Sequence, residues 1–168
     1  MKLFRPDYIF GKTTAITPEF LKEKGIKNLL LDVDNTLTTH NNPEPSEGID
    51  EWLDLMRANG INMMIISNNN KKRVKPFAER LKLPYSSMSC KPLPMGYIRG
   101  LKMPGATRKN TAIVGDQIFT DVMGANLMGM KSLMVLAILR EDSAAFKFKR
   151  KIEKGFIDKY VAQQGGPL

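Results

Sequence analysis

Cysteine and long apolar runs are scarce in this sequence, and each scarcity excludes a class of protein. The one cysteine, Cys90, cannot form an internal disulfide, and no cysteine cluster is present for structural zinc or redox chemistry. No apolar run reaches the roughly 18–20 residues that a membrane-spanning helix needs. Lys2, Arg5 and Asp7 interrupt the amino terminus before a signal-like stretch can form. We therefore expect a cytoplasmic protein, either free or peripheral on the inner face of a membrane.

Acidic residues are also scarce, since basic residues outnumber them. The chain has 26 Lys and Arg residues against 17 Asp and Glu residues, a net charge of +9. Such an excess attracts nucleic acid, anionic lipid headgroups or phosphorylated small molecules, and it does not discriminate among them. The apolar and charged fractions, 42% and 26%, are those of a globular protein. With 168 residues we expect a single domain over residues 1–168, with an amino-terminal extension at residues 1–26 and a basic carboxyl-terminal helix at about 143–162.

Short apolar runs alternate with segments of helical period. The runs lie at residues 28–33, 61–66, 111–114 and, more weakly, 132–138. They are too short for helices and suit strands buried on both faces of a parallel sheet. Between them, apolar residues around Trp52 and from Val74 to Leu81 recur at the spacing of a helix. The alternation predicts an α/β fold with a mainly parallel, Rossmann-like sheet.

The three strong apolar runs each lead into polar side chains. These are Asp32 and Asp34, then Ser67, Asn68 and Asn69, and finally Asp116 and Asp121. In an open parallel sheet, ligands bind beyond the carboxyl ends of the strands. We therefore expect the three polar clusters to meet in one crevice.

The acids of this crevice suit phosphoryl transfer. Asp32 and Asp34 leave the same face of an extended chain and repel one another unless they share a cation. Mg²⁺ fits because it favours oxygen ligands and takes few protein carboxylates. Asp116 would supply a further carboxylate, and Asp121 lies nearby. In this scheme Asp32 attacks phosphorus to form an aspartyl-phosphate, while Asp34 acts as acid and then as base.

The negative charge that develops on the phosphoryl oxygens requires fixed hydrogen-bond donors. The candidates are Ser67, the main-chain amides near Asn68 and Asn69, and the Lys91 ammonium group. Taken singly, each of these residues has a plainer interpretation, as a turn residue or a surface lysine. Their combination and order favour the phosphoryl-transfer hypothesis.

Three other classes of protein compete with this hypothesis. A calcium loop beginning at Asp32 is excluded because its sixth position is Leu37 and its twelfth is Pro43. A receiver-type phospho-acceptor would carry a carboxylate at the end of a later strand, where this chain has Ser67. A pure nucleic-acid-binding protein would explain the charge but leaves the convergent acids unexplained.

The four motifs together resemble the haloacid dehalogenase superfamily of phosphohydrolases. The Asp-x-Asp-x-Thr motif is matched at Asp32, the strand ending in Ser at Ser67, the Lys-Pro pair at Lys91, and Gly-Asp with a later Asp at Asp116 and Asp121. The surrounding sequence is similar to the YqeG-type branch of subclass IIIA, whose relatives include phosphatidylglycerophosphate phosphatases. The resemblance implies a three-layer sandwich.

The resemblance also implies a role for each matched residue. Asp32 would be the nucleophile and Asp34 the acid and base, while Ser67 and Lys91 would hold the phosphoryl group. Mg²⁺ would be bound by Asp32, the Asp34 main-chain carbonyl and Asp116. Two further residues, Thr36 and Asp121, would support this set.

The spacing of the motifs and the net charge restrict the class of substrate. Thirty residues separate Thr36 from Ser67 and 23 separate Ser67 from Lys91, so no cap domain fits. An open crevice admits a membrane-bound headgroup, and we expect phosphatidylglycerophosphate at an anionic membrane surface. A phosphatase for nucleic-acid ends or soluble phosphate esters is the alternative.

Two segments are candidates for contact with a membrane. Residues 147–159 carry six basic residues against two acids, and Phe148, Ile152, Phe156, Ile157 and Tyr160 lie near one face of the predicted helix. This helix would lie on a membrane or pack on the sheet with a solvated basic side. The apolar segment at residues 3–10 would likewise dock on the core or in lipid.

Overall fold

A computed structural model describes residues 2–136, 138, 144–164 and 167 of the chain. Within these residues, six parallel strands form one sheet in the order β1-β6-β5-β2-β3-β4. The strands are β1 (Tyr8–Phe10), β2 (Asn28–Leu31), β3 (Asn62–Ile66), β4 (Tyr85–Ser86), β5 (Thr111–Gly115) and β6 (Lys131–Val135). The helices are α1 (Pro18–Glu23), α2 (Ile49–Ala58), α3 (Lys71–Arg80), α4 (Pro94–Gly100), α5 (Met123–Met128) and α6 (Ala144–Gln164).

The prediction of an α/β fold with a mainly parallel sheet is confirmed. The three strong apolar runs form β2, β3 and β5, which are neighbours in the sheet. The weaker run forms β6, which ends at Val135, three residues before its predicted end. The strands β1 and β4 were not predicted, because two or three residues are too few to show a pattern.

The sheet has helices on both faces, so the expected three-layer sandwich is also confirmed. Leu29 and Leu31 of β2 pack in a cluster with side chains of α1, α2 and α3. Leu30 points to the other face, where it packs with Tyr97 of α4 and Ala125 of α5. Each fully buried leucine of this kind contributes about 1.5–3 kcal/mol to the folded state. The fully described stretch 34–91 contains α2, β3, α3 and β4 with their connecting loops, and it holds no cap domain.

Side-chain caps begin two of the helices on the first face. Thr17 accepts a hydrogen bond from the Phe20 amide at the start of α1, where Pro18 occupies the first turn. Asn70 accepts one from the Arg73 amide at the start of α3. In both helices the capping residue lies directly before the first helical residue.

The amino-terminal segment packs on the core. Tyr8–Phe10 pairs with Leu133–Val135 as an edge strand, and Ile9 and Phe10 are buried. Farther along, Thr13 donates a hydrogen bond of 2.7 Å from its hydroxyl to the Thr36 carbonyl. Of the two alternatives for this segment, docking on the core is the one observed, and the segment braces the loop that follows β2.

The described part of α6 also packs on the sheet. Phe156, Ile157 and Tyr160 lie against a buried cluster that includes Ile9 and Met134. The predicted apolar contacts of Phe148 and Ile152 lie outside the described side chains. None of the described helices combines the length and hydropathy of a membrane span.

A buried carboxylate joins α6 to the loop after β5. Glu153 is fully buried and accepts hydrogen bonds from the amides of Ile118 (3.0 Å) and Phe119 (3.4 Å). These amides open a π-helical turn, Ile118–Val122, so the negative charge lies where free N–H groups point outward. Thr13 thus holds the loop after β2, and Glu153 holds the loop after β5, at the same edge of the sheet.

Candidate active site

The predicted site residues follow four adjacent strands. Asp116 comes directly after β5, Asp32 after β2 and Ser67 after β3, while Lys91 lies in the loop after β4. The chain runs from β2 outward to β3 and β4 and then returns to β5 on the other side of β2. Asp32 therefore stands at the point where the strand order reverses, which is where open α/β sheets bind ligands.

A buried lysine lies between two of the acids. The Lys91 Nζ is 2.7 Å from Asp32 Oδ1 and 2.7 Å from Asp121 Oδ1. Burial raises the pKa of Asp32 to about 6; Lys91 opposes this shift and Asp121 adds to it. Burial alone would lower the pKa of Lys91, but the charges of Asp121 and Asp32 outweigh it and hold that pKa above its ordinary value. The ammonium group thus stays protonated and compensates part of the acidic charge.

Three carboxylates converge in this region. Asp32, Asp116 and Asp121 are buried, and one oxygen of each lies within 4.8 Å of the others. Oxygens on opposite sides of an octahedral Mg²⁺ are about 4.2 Å apart, so small side-chain movements would close the set on one ion. With all three ionised beside Lys91, two negative charges remain, which a divalent cation would balance. The donor set therefore fits such an ion.

Asp121 reaches this cluster because of a glycine. A Cβ atom at Gly115 would collide with the Asp121 carboxyl group. The π-helical turn carries Asp121 back over the end of β5, where its Oδ2 also accepts a hydrogen bond of 3.2 Å from the Gln117 amide. The Gly-Asp pair thus serves two purposes, because the glycine makes room for one acid while Asp116 supplies another.

The Asp34 carboxylate has separate partners. Its Oδ1 accepts hydrogen bonds from Arg73 Nη2 at 3.0 Å and from the Asn41 amide at 3.1 Å. Its Oδ2 accepts one from the Asn69 side-chain amide. The Asp34 carboxylate is therefore held by Arg73, Asn41 and Asn69, apart from the three-acid cluster.

The predicted phosphate-binding residues have different positions. Ser67 is buried, and its Oγ accepts a hydrogen bond of 3.2 Å from the Asn69 amide. Asn68 contacts the main chain of Lys91 instead, since its Oδ1 accepts from the Lys91 amide (2.6 Å) and its Nδ2 donates to the Lys91 carbonyl (3.0 Å). In the structure, the Asn68 side chain therefore positions the lysine loop.

The hydroxyl group of Thr36 is buried and has no hydrogen-bond partner among the described residues. The Thr36 carbonyl accepts the hydrogen bond from Thr13 described above. Through this carbonyl, Thr36 connects the Asp-x-Asp loop to the amino-terminal segment.

Arg73 was not identified from the sequence. Its guanidinium group donates from Nη2 to Asp34 and also to the Asn42 carbonyl (2.8 Å), and it lies over the Phe77 ring. Arg73 lies in the first turn of a helix that begins at the crevice, directly after the Ser67 cluster. That position separates Arg73 from Lys75 and Arg80 farther along α3, but Lys71 and Lys72 share the first turn, so the sequence alone does not single out Arg73.

Comparisons with known proteins agree with this geometry. The sequence profile described as haloacid dehalogenase-like hydrolase matches residues 11–135. A Bacillus subtilis protein described as a probable phosphatase, YqeG, is 34% identical over 153 residues, which cover 91% of this chain and 89% of that protein.

Solved structures share the fold at lower identity. An uncharacterised protein from Listeria monocytogenes aligns with a TM-score of 0.55 at 17% identity, covering 71% of this chain and 87% of that one. The cobalt-bound form of the deoxy-D-mannose-octulosonate 8-phosphate phosphatase from Haemophilus influenzae aligns with a TM-score of 0.54 at 14% identity, covering 82% and 90%. These likenesses confirm the architecture.

We expect Mg²⁺ to raise the melting temperature of the protein through the three-acid cluster. At about 100 times its Kd, a bound ion should raise Tm by roughly 5–10 °C. Because the pKa of Asp32 is about 6 and the ion competes with its proton, the rise should be larger at about pH 7.5 than at about pH 5. Differential scanning fluorimetry with and without a chelator measures it.

Asp116→Asn should lose most of this rise, whereas Asp54→Asn, at an exposed acid paired with Arg57 on α2, should keep it. An equal rise in both variants would show that the ion binds elsewhere.

Proposed function

The chain belongs to the haloacid dehalogenase-like hydrolase family and is a phosphatase, and we propose that it hydrolyses phosphate monoesters through an aspartyl-phosphate at Asp32. The observation that carries this proposal is the buried pairing of Lys91 with Asp32 and Asp121. The pairing orients a carboxylate at the point where the strand order reverses, with a fixed cation beside it. Such an arrangement suits a nucleophile that accepts a phosphoryl group with three charged oxygens.

In the first step, a carboxylate oxygen of Asp32 forms a bond to phosphorus as the bond from phosphorus to the alcohol oxygen breaks. The departing alkoxide takes a proton from Asp34, which Arg73, Asn41 and Asn69 hold in place. The alcohol leaves and Asp32 carries the phosphoryl group.

In the second step, Asp34 takes a proton from a water molecule as the water oxygen bonds to phosphorus. The bond between phosphorus and Asp32 breaks, so inorganic phosphate leaves and both carboxyl groups return to their starting states. Asp34 thus acts as an acid toward the leaving alcohol in the first step and as a base toward water in the second.

The remaining residues stabilise the charge on phosphorus. Ser67 and Lys91 donate hydrogen bonds to the phosphoryl oxygens, and Asn68 fixes the lysine loop. Asp32, Asp116 and the Asp34 main-chain carbonyl would hold Mg²⁺, with Asp121 beside them. The ion supplies compensation for the negative charge of the transferred group.

We propose a lipid substrate, phosphatidylglycerophosphate, that is dephosphorylated at the cytoplasmic surface of an anionic membrane. Two observations support it. The crevice has no cap in the fully described stretch 34–91, so a headgroup can enter while its acyl chains stay in a bilayer. The net charge of +9 also favours an anionic surface. The same two features would serve a phosphorylated nucleic-acid end, which is therefore the second candidate.

We expect Asp32→Asn to reduce turnover by roughly three orders of magnitude or more, because the amide cannot attack phosphorus. Phosphate release measures the loss, and circular dichroism checks the fold. Acid quenching should trap one phosphoryl group, labile to hydroxylamine, on the wild-type protein and none on Asp32→Asn. Wild-type turnover in the variant would exclude the covalent mechanism.

We expect Arg73→Gln to affect substrates according to their leaving group. A poorly oriented Asp34 impairs protonation of an alkoxide but matters little for nitrophenolate, which leaves without a proton. The loss in kcat/KM, which reports the first step and not hydrolysis of the shared aspartyl-phosphate, should be larger for an alkyl phosphate than for p-nitrophenyl phosphate by about tenfold or more. Lys75→Gln, at an exposed residue of the same helix, is the control. Equal losses for both substrates would show that Arg73 does not act through Asp34.

A substrate panel distinguishes the two candidate functions. We expect kcat/KM for phosphatidylglycerophosphate in detergent micelles to exceed that for a 5′-phosphorylated oligonucleotide and for soluble sugar phosphates by at least about tenfold, a difference of roughly 1.4 kcal/mol in transition-state stabilisation. A preference for the oligonucleotide would replace the lipid proposal with the nucleic-acid one.

A further inference from the structure

Exposed apolar side chains are concentrated beside the catalytic crevice. Among the described residues, seven large apolar side chains are strongly exposed, and four of them lie within eleven residues that include Lys91. These four, which we call the apolar rim, are Met88 (63% exposed), Leu93 (58%), Met95 (48%) and Ile98 (49%). A contiguous exposed apolar patch marks an interaction surface more often than chance exposure does.

The apolar rim begins at the same edge of the sheet as the site. The Met88 amide donates to the Asn69 carbonyl (2.8 Å), and the Leu93 amide donates to the Cys90 carbonyl (2.8 Å). Met95 and Ile98 then follow three residues apart on α4, so they share one side of that helix. The opposite side of α4, with Gly96 and Tyr97, is buried. The rim therefore runs from the mouth of the crevice along the outer side of α4.

The segment of sequence that carries the apolar rim is basic. No acidic residue occurs between Glu79 and Asp116 in the sequence, whereas seven basic residues do. Lys71 and Lys72, both exposed, open α3 immediately after the Asn69 turn that Met88 contacts. Exposed apolar side chains in a basic segment match an anionic bilayer surface, where the former enter the acyl region and exposed lysines such as Lys71 and Lys72 stay among the headgroups.

The other candidate for membrane insertion, α6, has its described apolar side chains packed against the protein. The described apolar side chains of α6, including Phe156, Ile157 and Tyr160, pack on the core of the protein. Arg5 also lies over the Tyr160 ring, 5.6 Å from its centre. The described part of α6 therefore presents its polar side outward, and its basic residues would add attraction without insertion.

We propose that the apolar rim inserts into an anionic phospholipid bilayer and seats the open crevice on the membrane. Because Lys91 follows Met88 by three residues, insertion would bring the phosphoryl-binding groups to headgroup depth. A phosphorylated lipid would then enter without leaving the bilayer. This inference deepens the proposed function and rests on its lipid substrate.

A tryptophan reporter tests insertion directly in the full-length protein. Trp52 is the one natural tryptophan and is 3% exposed, so Leu93→Trp adds a probe whose emission responds to the rim. Vesicles of mixed phosphatidylglycerol and phosphatidylcholine should shift this emission to shorter wavelength, and vesicles of phosphatidylcholine alone should not. Leu127→Trp, at a 53% exposed residue at the far end of α5, is the matched control and should show no shift.

A rim variant tests the consequence for catalysis. Leu93→Ser combined with Met95→Gln removes apolar surface, and the serine places a capping hydroxyl at the start of α4. Its turnover of phosphatidylglycerophosphate in anionic vesicles should fall at least tenfold more than its turnover of the same lipid in detergent micelles. The control, Leu55→Gln combined with Leu127→Gln, removes exposed apolar surface elsewhere. Relative to the wild-type protein, its turnover should change by the same factor in vesicles and in micelles.

The outcomes separate this inference from the proposed function. If the wild-type protein does not hydrolyse the lipid even in micelles, the substrate proposal fails, while the reporter still decides whether the rim inserts. If the rim variant behaves like the control on vesicles, or if Leu93→Trp shows no shift, insertion is excluded. A Leu93→Trp shift that grows with protein concentration without vesicles, together with dimers in sedimentation, would assign the rim to contact between copies of the chain and overturn the proposal.

Discussion

The ion pairs of Lys91 with Asp32 and Asp121 are the interactions on which the site depends. Three carboxylates within a few ångströms of one another, shielded from water, would repel strongly if no cation lay among them. Lys91 offsets part of that repulsion and joins the loop after β4 to those after β2 and β5. Removing one partner from a buried pair typically costs about 3–5 kcal/mol, because the remaining charge has no compensation. The proposed catalytic geometry and local stability therefore share one set of contacts.

The loops that carry this set are held by parts of the chain far from the motifs. Thr13, near the amino terminus, hydrogen-bonds to the loop after β2, and Glu153, near the carboxyl terminus, hydrogen-bonds to the turn that carries Asp121. Asn68 fixes the main chain of Lys91 from the neighbouring loop. These contacts lie outside the groups that we propose to react, yet they set the positions of those groups, and small displacements of reacting groups cost large factors in rate.

The open crevice must exclude water and contact its substrate without the help of a cap. The described stretch 34–91 holds no inserted domain that would exclude water or contact the part of the substrate beyond the phosphate. In the proposed arrangement a bilayer excludes water and contacts the rest of the substrate. Its acyl chains lie against the apolar rim and its headgroups against exposed lysines such as Lys71 and Lys72. Core packing does not explain the exposed apolar side chains around Lys91, because the buried side of α4 is the opposite one.

The residue pattern alone was sufficient to predict the central strands, the helical segments around Trp52 and from Val74 to Leu81, and the fold class. Those features depend on the period of apolar residues and on local hydrogen bonds, which neighbouring residues determine. The meeting of acids at one edge also followed from the parallel arrangement of the strands.

Tertiary structure alone decided the remaining features. The edge strands β1 and β4 are too short to leave a pattern and exist because their neighbours offer free main-chain groups. The pairing of Arg73 with Asp34, the burial of Glu153 and the turn of Asn68 toward Lys91 join residues 23 to 39 positions apart. Contacts at such separations depend on how helices and loops pack against the completed sheet, which no local sequence pattern records.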